Sequence, residues 1–288
     1  MASLYDRYDL YDLVAPRDEA MEGFYVGEAR ANGPRVLELA CGSGRLTLPL
    51  ARAGLEVVGI DLAEPMLERT RGLAAAEGLT VETHRLDMRD FELGRQFDTV
   101  MIAGNSILHL LTRSDFEGFF RSVARHVSPG GKLLFDCFVP SAHLLSRPRD
   151  RQAMVQATHA KLGEVTIEEI VDYDPLTQIA RTNWYWSTAS QPDFHITTFD
   201  LISAGTAAPA LGERLPLARS LRQLRQSGIR GGRFSAGVYR RTLLTDSPVF
   251  RLCSHGSYPR RHDIAPGSWL ACACGGLCLF EGFRSRAP

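Results

Sequence analysis

Between residues 34 and 138, short apolar runs of strand character alternate with helical stretches. This alternation constrains the fold more than any other feature. Strands interleaved with helices bury their apolar runs in a parallel sheet covered by helices on both faces. The expected strands are 36–39, 56–60, 81–85, 97–102 and 132–138. The expected helices are 46–53, closed by Gly54, and 65–77, with Pro65 at its start and Gly78 beyond its end. A third is expected at 114–126, where Phe116, Phe119, Phe120 and Val123 share one face and Ser114 with Glu117 forms a capping box. "SPGG" then breaks the helix before the fifth strand. The fold class is therefore α/β: a Rossmann-like, doubly wound, mostly parallel sheet.

The core at 34–140 is preceded by a helical cap at 1–33, in which Tyr5, Tyr8 and Tyr11 are spaced by three. It is followed at 141–202 by a β-rich insert. "EVTIEEIVDYD", "QIARTNWYWST" and "FHITTFDLI" have strand composition, with "DPLT" and "SQPD" as turns between them. These predict a three-stranded antiparallel meander.

A chain of 288 residues, 44% apolar, is long enough for a substantial core. No apolar run reaches the roughly 18 residues needed to span a bilayer, so no membrane association is expected. The start, "MASLYDRYDLYD", is acidic and aromatic, unlike a signal peptide, and a cytoplasmic location is expected. The formal net charge is zero, which gives no support for a nucleic-acid partner. That zero conceals an asymmetry. Residues 203–288 hold thirteen Arg, no Lys and four acids, an excess of nine positive charges, which points to a boundary near 203. A helix at 215–226 and a strand at 248–253 are the only regular elements the pattern suggests there. Cys272, Cys274 and Cys278, with Cys253, His255 or His262, are candidate zinc ligands, but C-x-C-x3-C lacks the paired spacing of zinc sites. No metal is expected, and disulfides are not expected in a reducing cytosol.

The chemistry gathers at the strand ends. The first strand runs into Gly42-Ser43-Gly44 and then a helix, the arrangement of a ligand mouth in open α/β sheets, where glycine lets backbone approach a ligand closely. A plain tight turn would look the same. Seventeen residues after Gly44 the second strand ends in Asp61, an acceptor-only group able to take both hydroxyls of a ribose; the alternative is a helix cap. Asp87 follows the third strand, in "LDMRDF", and "AGNSILHLL" follows the fourth.

These segments, in this order and spacing, resemble the class I S-adenosylmethionine-dependent methyltransferases over about residues 34–140. "ELACGSGR" is similar to the family's first motif, "GIDLAEPML" to the second and "LDMRDF" to the adenine-contacting one, while "SPGGKLLFD" resembles the loop and strand that follow the fourth helix. Thr47 replaces the third glycine of the dinucleotide fingerprint, which disfavours NAD. The resemblance implies S-adenosylmethionine as cofactor, held by position. Glu38 would orient water or the cofactor's amino group, and Ala40, Gly42, Ser43 and Gly44 would line it. Asp61 would hold the ribose hydroxyls. Leu62 and Met66 would pack on adenine, which Asp87 and Met88 would flank. Ala103 and Asn105 would line the sulfonium end. Met66 reads equally as core filler.

The resemblance also implies methyl transfer to O or N of a small-molecule acceptor. His109 is the candidate base; the alternative is that it packs beneath a lid. Tyr8 and Tyr11 are candidates to close over cofactor or substrate, or to pack their own helix. In many small-molecule methyltransferases of this type, sugar-amine N-methyltransferases among them, a β insert after the fifth strand covers the substrate. Trp184 and Trp186 alternate onto one face of that lid. That face has three uses open to it: packing on the core, pairing with a second copy in a homodimer, or walling the acceptor pocket. Residues 203–288 are atypical for the family and expected to be partly disordered. One possible coding of "GIRGGRF" (228–234), read one base later, gives the glycine-phenylalanine-glutamate turn that enters the family's closing strands, as a local frameshift would. The rival readings are a catalytically impaired cofactor-binding relative and an NAD(P)-dependent oxidoreductase.

Overall fold

The computed structural model describes residues 4–15, 17–137, 146, 148–159, 161–188, 194–201, 236–239 and 278–280. A 3-10 turn (Leu4–Asp6) leads into α1 (Tyr8–Val14) and α2 (Glu19–Asn32), whose N-terminus is capped by the Asp18 carboxylate accepting the Met21 amide. The alternation follows: β1 (Arg35–Leu39), α3 (Thr47–Arg52), β2 (Glu56–Asp61), α4 (Glu64–Ala76), β3 (Glu82–Arg85) and β4 (Phe97–Ile102). A 3-10 turn (Ser106–His109), α5 (Arg113–His126) and β5 (Val127–Asp136) complete the core.

The core strands pair in parallel in the order β5-β4-β1-β2-β3. Beyond β5, β10 (Ala236–Tyr239) adds in parallel and β11 (Cys278–Phe280) antiparallel to it. Both faces of the sheet are buried, which is why the strands read as nearly unbroken apolar runs. Leu37, Leu39, Val58, Ile60, Val100, Ile102, Leu133 and Phe135 face α5, which meets them with Phe116, Phe119, Phe120 and Val123. Val36, Val57, Met101 and Leu134 face α2 and α3, which contribute Met21, Tyr25, Ala29, Leu46 and Leu50.

Two local expectations are corrected. The cap of α5 is Thr112 with Asp115, whose side chains and backbone amides bond reciprocally, not Ser114 with Glu117; Glu117 instead pairs with Arg113 one turn back. "SPGG" does not separate α5 from the fifth strand: β5 starts at Val127, and an irregular register against Phe97–Thr99 absorbs the glycines. It ends at Asp136, with 138 outside the described residues.

The insert is a separate antiparallel sheet with one strand more than expected: β6 (Gln152–His159), β7 (Gly163–Asp174), β8 (Ile179–Thr188) and β9 (Phe194–Leu201), in that order. Its inner face packs on the N-terminal segment, where Leu4 and Leu10 are buried with Val165, Ile167 and Trp186. The helix expected at 215–226, the strand at 248–253 and the segment 228–234 lie outside the described residues, as do Cys253, His255, His262, Cys272 and Cys274. Among the described residues no helix is long and apolar enough to cross a membrane.

Candidate functional site

The carboxyl ends of β1, β2, β4 and β5 converge on one mouth. After β1 the chain makes left-handed steps at Ala40 (φ 53°), Gly42 (φ 56°) and Gly44 (φ 87°). Only glycine fits at Gly44, where a Cβ would lie 2.9 Å from the Thr70 hydroxyl oxygen. Thr70 itself donates to the Gly42 carbonyl at 2.8 Å, so α4 pins the loop. Cys41 is buried and packs on Gly59 of β2, where a Cβ would come within 2.8 Å of its sulfur.

Three carboxylates surround this mouth, Glu38 and Asp136 buried and Asp61 partly so. Glu38, 3% exposed, accepts the Thr47 hydroxyl at 2.5 Å, and burial pushes its pKa up to about 8. Thr47, the residue that interrupts the dinucleotide fingerprint, thus serves Glu38. Asp61 accepts the Gly42 amide at 2.9 Å and the Ala63 amide at 2.8 Å. Burial raises its pKa, while those backbone donors oppose the rise. A carboxylate offers about four acceptor positions, so backbone bonding leaves Asp61 room for further donors. The third, Asp136 at the end of β5, accepts the Gly104 and Asn105 amides at 2.9 and 2.8 Å and the Tyr25 hydroxyl at 2.7 Å. Burial raises the pKa of both Asp136 and Tyr25.

The other expected residues divide around this mouth. Leu62 follows Asp61 and is 56% exposed, an apolar side chain presented at the mouth. Met66 is fully buried in α4. Met88 packs on the α5-side core and Ala103 on the opposite one. Asp87 lies with Arg89, whose guanidinium approaches to 2.6 Å and holds the carboxyl below its usual range; Arg89 also reaches Asp115 of the α5 cap. Asn105 is left-handed at φ 64°, and the 3-10 turn it starts ends at His109.

The N-terminal segment crosses the mouth. His109 Nε2 and the Tyr5 hydroxyl are 2.8 Å apart. The Ser43 hydroxyl donates to Asp12 at 2.8 Å, and Arg69 of α4 lies over the Tyr8 ring at 5.2 Å. Tyr11 is partly buried against Leu10 and Trp186, and burial raises its pKa. Trp184 and Trp186 share a face, as alternation requires. Trp186 is 1% exposed in the cluster that holds Leu4 and Leu10, so its side chain packs against the N-terminal segment. Trp184 donates its indole N–H to Thr198 at 3.0 Å. Sequence reasoning missed Asp136, Tyr25 and Asp12. The signal for Asp136 was present, an acid closing an apolar strand as Asp61 does.

A family profile described as "Methyltransferase domain" matches residues 36–131. The chain is 40% identical over 103 residues to the putative methyltransferase YqeM of Bacillus subtilis, a match covering 35% of this chain and 41% of that protein. It is 31% identical over 183 residues to the cypemycin N-terminal methyltransferase of a Streptomyces species, covering 56% of this chain and 71% of the relative. The fold matches that of the CcbJ methyltransferase from Streptomyces caelestis with a TM-score of 0.62 at 22% identity, over 74% of this chain and 84% of that one. The match to YqeM thus spans about two fifths of that relative's length. With the Gly42–Gly44 loop, Asp61 and Asp87 at successive strand ends and a relative matched over most of its length, the chain belongs to the class I S-adenosylmethionine-dependent methyltransferases.

Proposed function

We propose that this chain transfers a methyl group from S-adenosylmethionine to a nitrogen or oxygen of a small-molecule acceptor. The observation that carries the reading is Asp61: a partly buried carboxylate at the end of β2, braced by the Gly42 and Ala63 amides and with acceptor capacity to spare. That capacity suits a ribose diol. The exposed Leu62 beside it suits an adenine face, and the space above Gly42, where nothing lies within 4 Å of a would-be Cβ, suits close approach of a ligand. The residues present therefore fit the cofactor.

When bound, the cofactor supplies a methyl group already activated by its sulfonium charge. The protein has to align the acceptor and exclude water, and positioning accounts for most of the acceleration. Asp61 binds the ribose, Leu62 and Met88 flank adenine, and Met66 backs that wall from the interior. Asp87 meets the adenine edge while Arg89 keeps it ionised. Ala40, Gly42, Ser43 and Gly44 form the floor, and Ala103 with Asn105 the sulfonium end. Glu38 anchors the amino group near the methionine end. His109, backed by Tyr5, takes the acceptor's proton. Tyr8, Tyr11 and Trp184 close the acceptor side. An amine acceptor is supported by the cypemycin relative, whose name specifies an N-terminus.

Calorimetric titration with S-adenosylmethionine and with NADH tests the cofactor. We expect binding of the first alone; binding of NADH alone would overturn the reading. A thermal-shift screen of small amines, sugars and phenols with S-adenosylhomocysteine present then finds the acceptor. Turnover of the hits separates an active enzyme from a relative that only binds.

A further inference from the structure

Asp136 stands where β5 ends, 5% exposed, with three donors on its two oxygens. Oδ1 accepts the Tyr25 hydroxyl and the Gly104 amide, and Oδ2 accepts the Asn105 amide. Both amides belong to left-handed residues, Gly104 at φ 68° and Asn105 at φ 64°. Asparagine tolerates that region better than most residues but holds it only where its surroundings fix it. From this turn the chain enters the 3-10 segment ending at His109, with the Leu108 amide bonded to the Asn105 carbonyl. Tyr25 comes from α2 and is fully buried, so one carboxylate ties α2, β5 and the exit from β4. Helix, strand and loop are far apart in sequence, with Tyr25 and Asp136 separated by 111 positions.

We propose that Asp136 is a positioning residue: by gripping the Gly104 and Asn105 amides, it sets the loop that presents Asn105 and His109 to the cofactor and acceptor. The use made of that loop rests on the methyl-transfer reading above; the grip itself does not. Replacing Asp136 by Asn turns one acceptor oxygen into a donor that faces a backbone N–H, so one amide loses its partner and the turn loosens. Tyr25→Phe removes one donor, leaves both amides held and serves as the milder variant.

The test has two readouts. Amide exchange on the free protein follows Gly104 and Asn105, and calorimetry measures S-adenosylmethionine affinity. In D136N, we expect exchange at these two amides to accelerate at least tenfold while β1 and β4 stay protected, and affinity to fall about tenfold. Y25F should lose about threefold. Because Y25F leaves both amides bonded to Asp136, exchange at 104 and 105 should stay near wild-type rates in that variant, an outcome that general loss of packing does not produce. Unchanged exchange at 104 and 105 in D136N overturns the proposal, and so does exchange at these amides accelerated as much in Y25F as in D136N. If the wild-type protein binds no S-adenosylmethionine, the methyl-transfer reading fails, and exchange alone decides the grip.

Discussion

Asp87 apart, which Arg89 holds, the two ends of the core sheet treat their carboxylates in opposite ways. At the carboxyl end, Glu38 and Asp136 are buried and Asp61 partly so; the three are bonded to hydroxyls and backbone amides and shifted upward in pKa by loss of water. At the amino end, the Arg35 guanidinium approaches Asp98 to 2.6 Å, Glu82 pairs with Arg95, and the acids are shifted downward. Arginine pairs at the amino end neutralise charge near solvent, where such pairs contribute little to stability and weaken with salt. At the carboxyl end backbone donors orient Asp61 and Asp136, and Glu38, held by the Thr47 hydroxyl, keeps its proton up to about pH 8. The difference separates an end built for solubility and register from an end that holds polar capacity in reserve for a ligand.

The contrast can be broken first at Asp61. Asp61→Ala should reduce S-adenosylmethionine affinity by on the order of a hundredfold, because two hydroxyls lose a charged acceptor. Calorimetry that finds affinity within threefold of wild type would sink the assignment. Gly44→Ala sharpens the same end by sterics. The added methyl meets Thr70 at 2.9 Å in a left-handed residue, and urea unfolding should show a loss of about 1–3 kcal/mol, accompanied by weaker cofactor binding.

Glu38 tests the direction of the pKa shifts. Its folded-state value, about 8, lies above its unfolded value, so the native state holds the extra proton. Its contribution is fully present below the unfolded pKa, near 4.5, and is lost as pH rises through about 8. Asp61 and Asp136 are also raised and slope the same way, whereas Asp98 and Glu82 are lowered and lose their contribution as pH falls. The difference between wild type and Glu38→Gln isolates Glu38: if the glutamine fits the same cavity, urea midpoints should lie closest at pH 5 and separate at pH 7 and 9 as wild type alone loses stability, and parallel profiles refute the shift. The smallest effect belongs to the amino end. Asp98→Asn should lower the melting temperature slightly, and less in high salt, while leaving cofactor affinity within twofold; a larger loss of affinity would erase the contrast between the ends.

Much of the core was legible because its information is local. Apolar runs with Gly and Pro at the joints place β1, β2, β4, α3 and α4 within a residue or two of their observed bounds. Asp61 was legible because an acid ending a buried strand has few reasons to be there. Asp136 has the same signature, but the strand was read through to Phe138, which hid its end. The α5 cap was ambiguous, since Thr112-x-x-Asp115 and Ser114-x-x-Glu117 both satisfy the pattern and only the packing of Phe116 one turn into the helix decides between them. Strand β6 escaped because neither of its faces is well buried, so Gln152–His159 shows no clean alternation. The Tyr5–His109 contact spans 104 residues, and no local pattern carries it.

Helix α1 touches both halves of the site at once. Asp12 holds Ser43 at the cofactor mouth, while Leu10 sits under Trp186 and Ile167 of the insert. Seven residues therefore carry two sets of obligations. On the methyl-transfer reading proposed above, a lineage that remodels the insert for a new acceptor has to preserve the seat of Leu10 or disturb the hold of Asp12 on Ser43. The same obligation extends along that inner face to Trp184, which packs on the cluster that seats Leu10 and donates to Thr198.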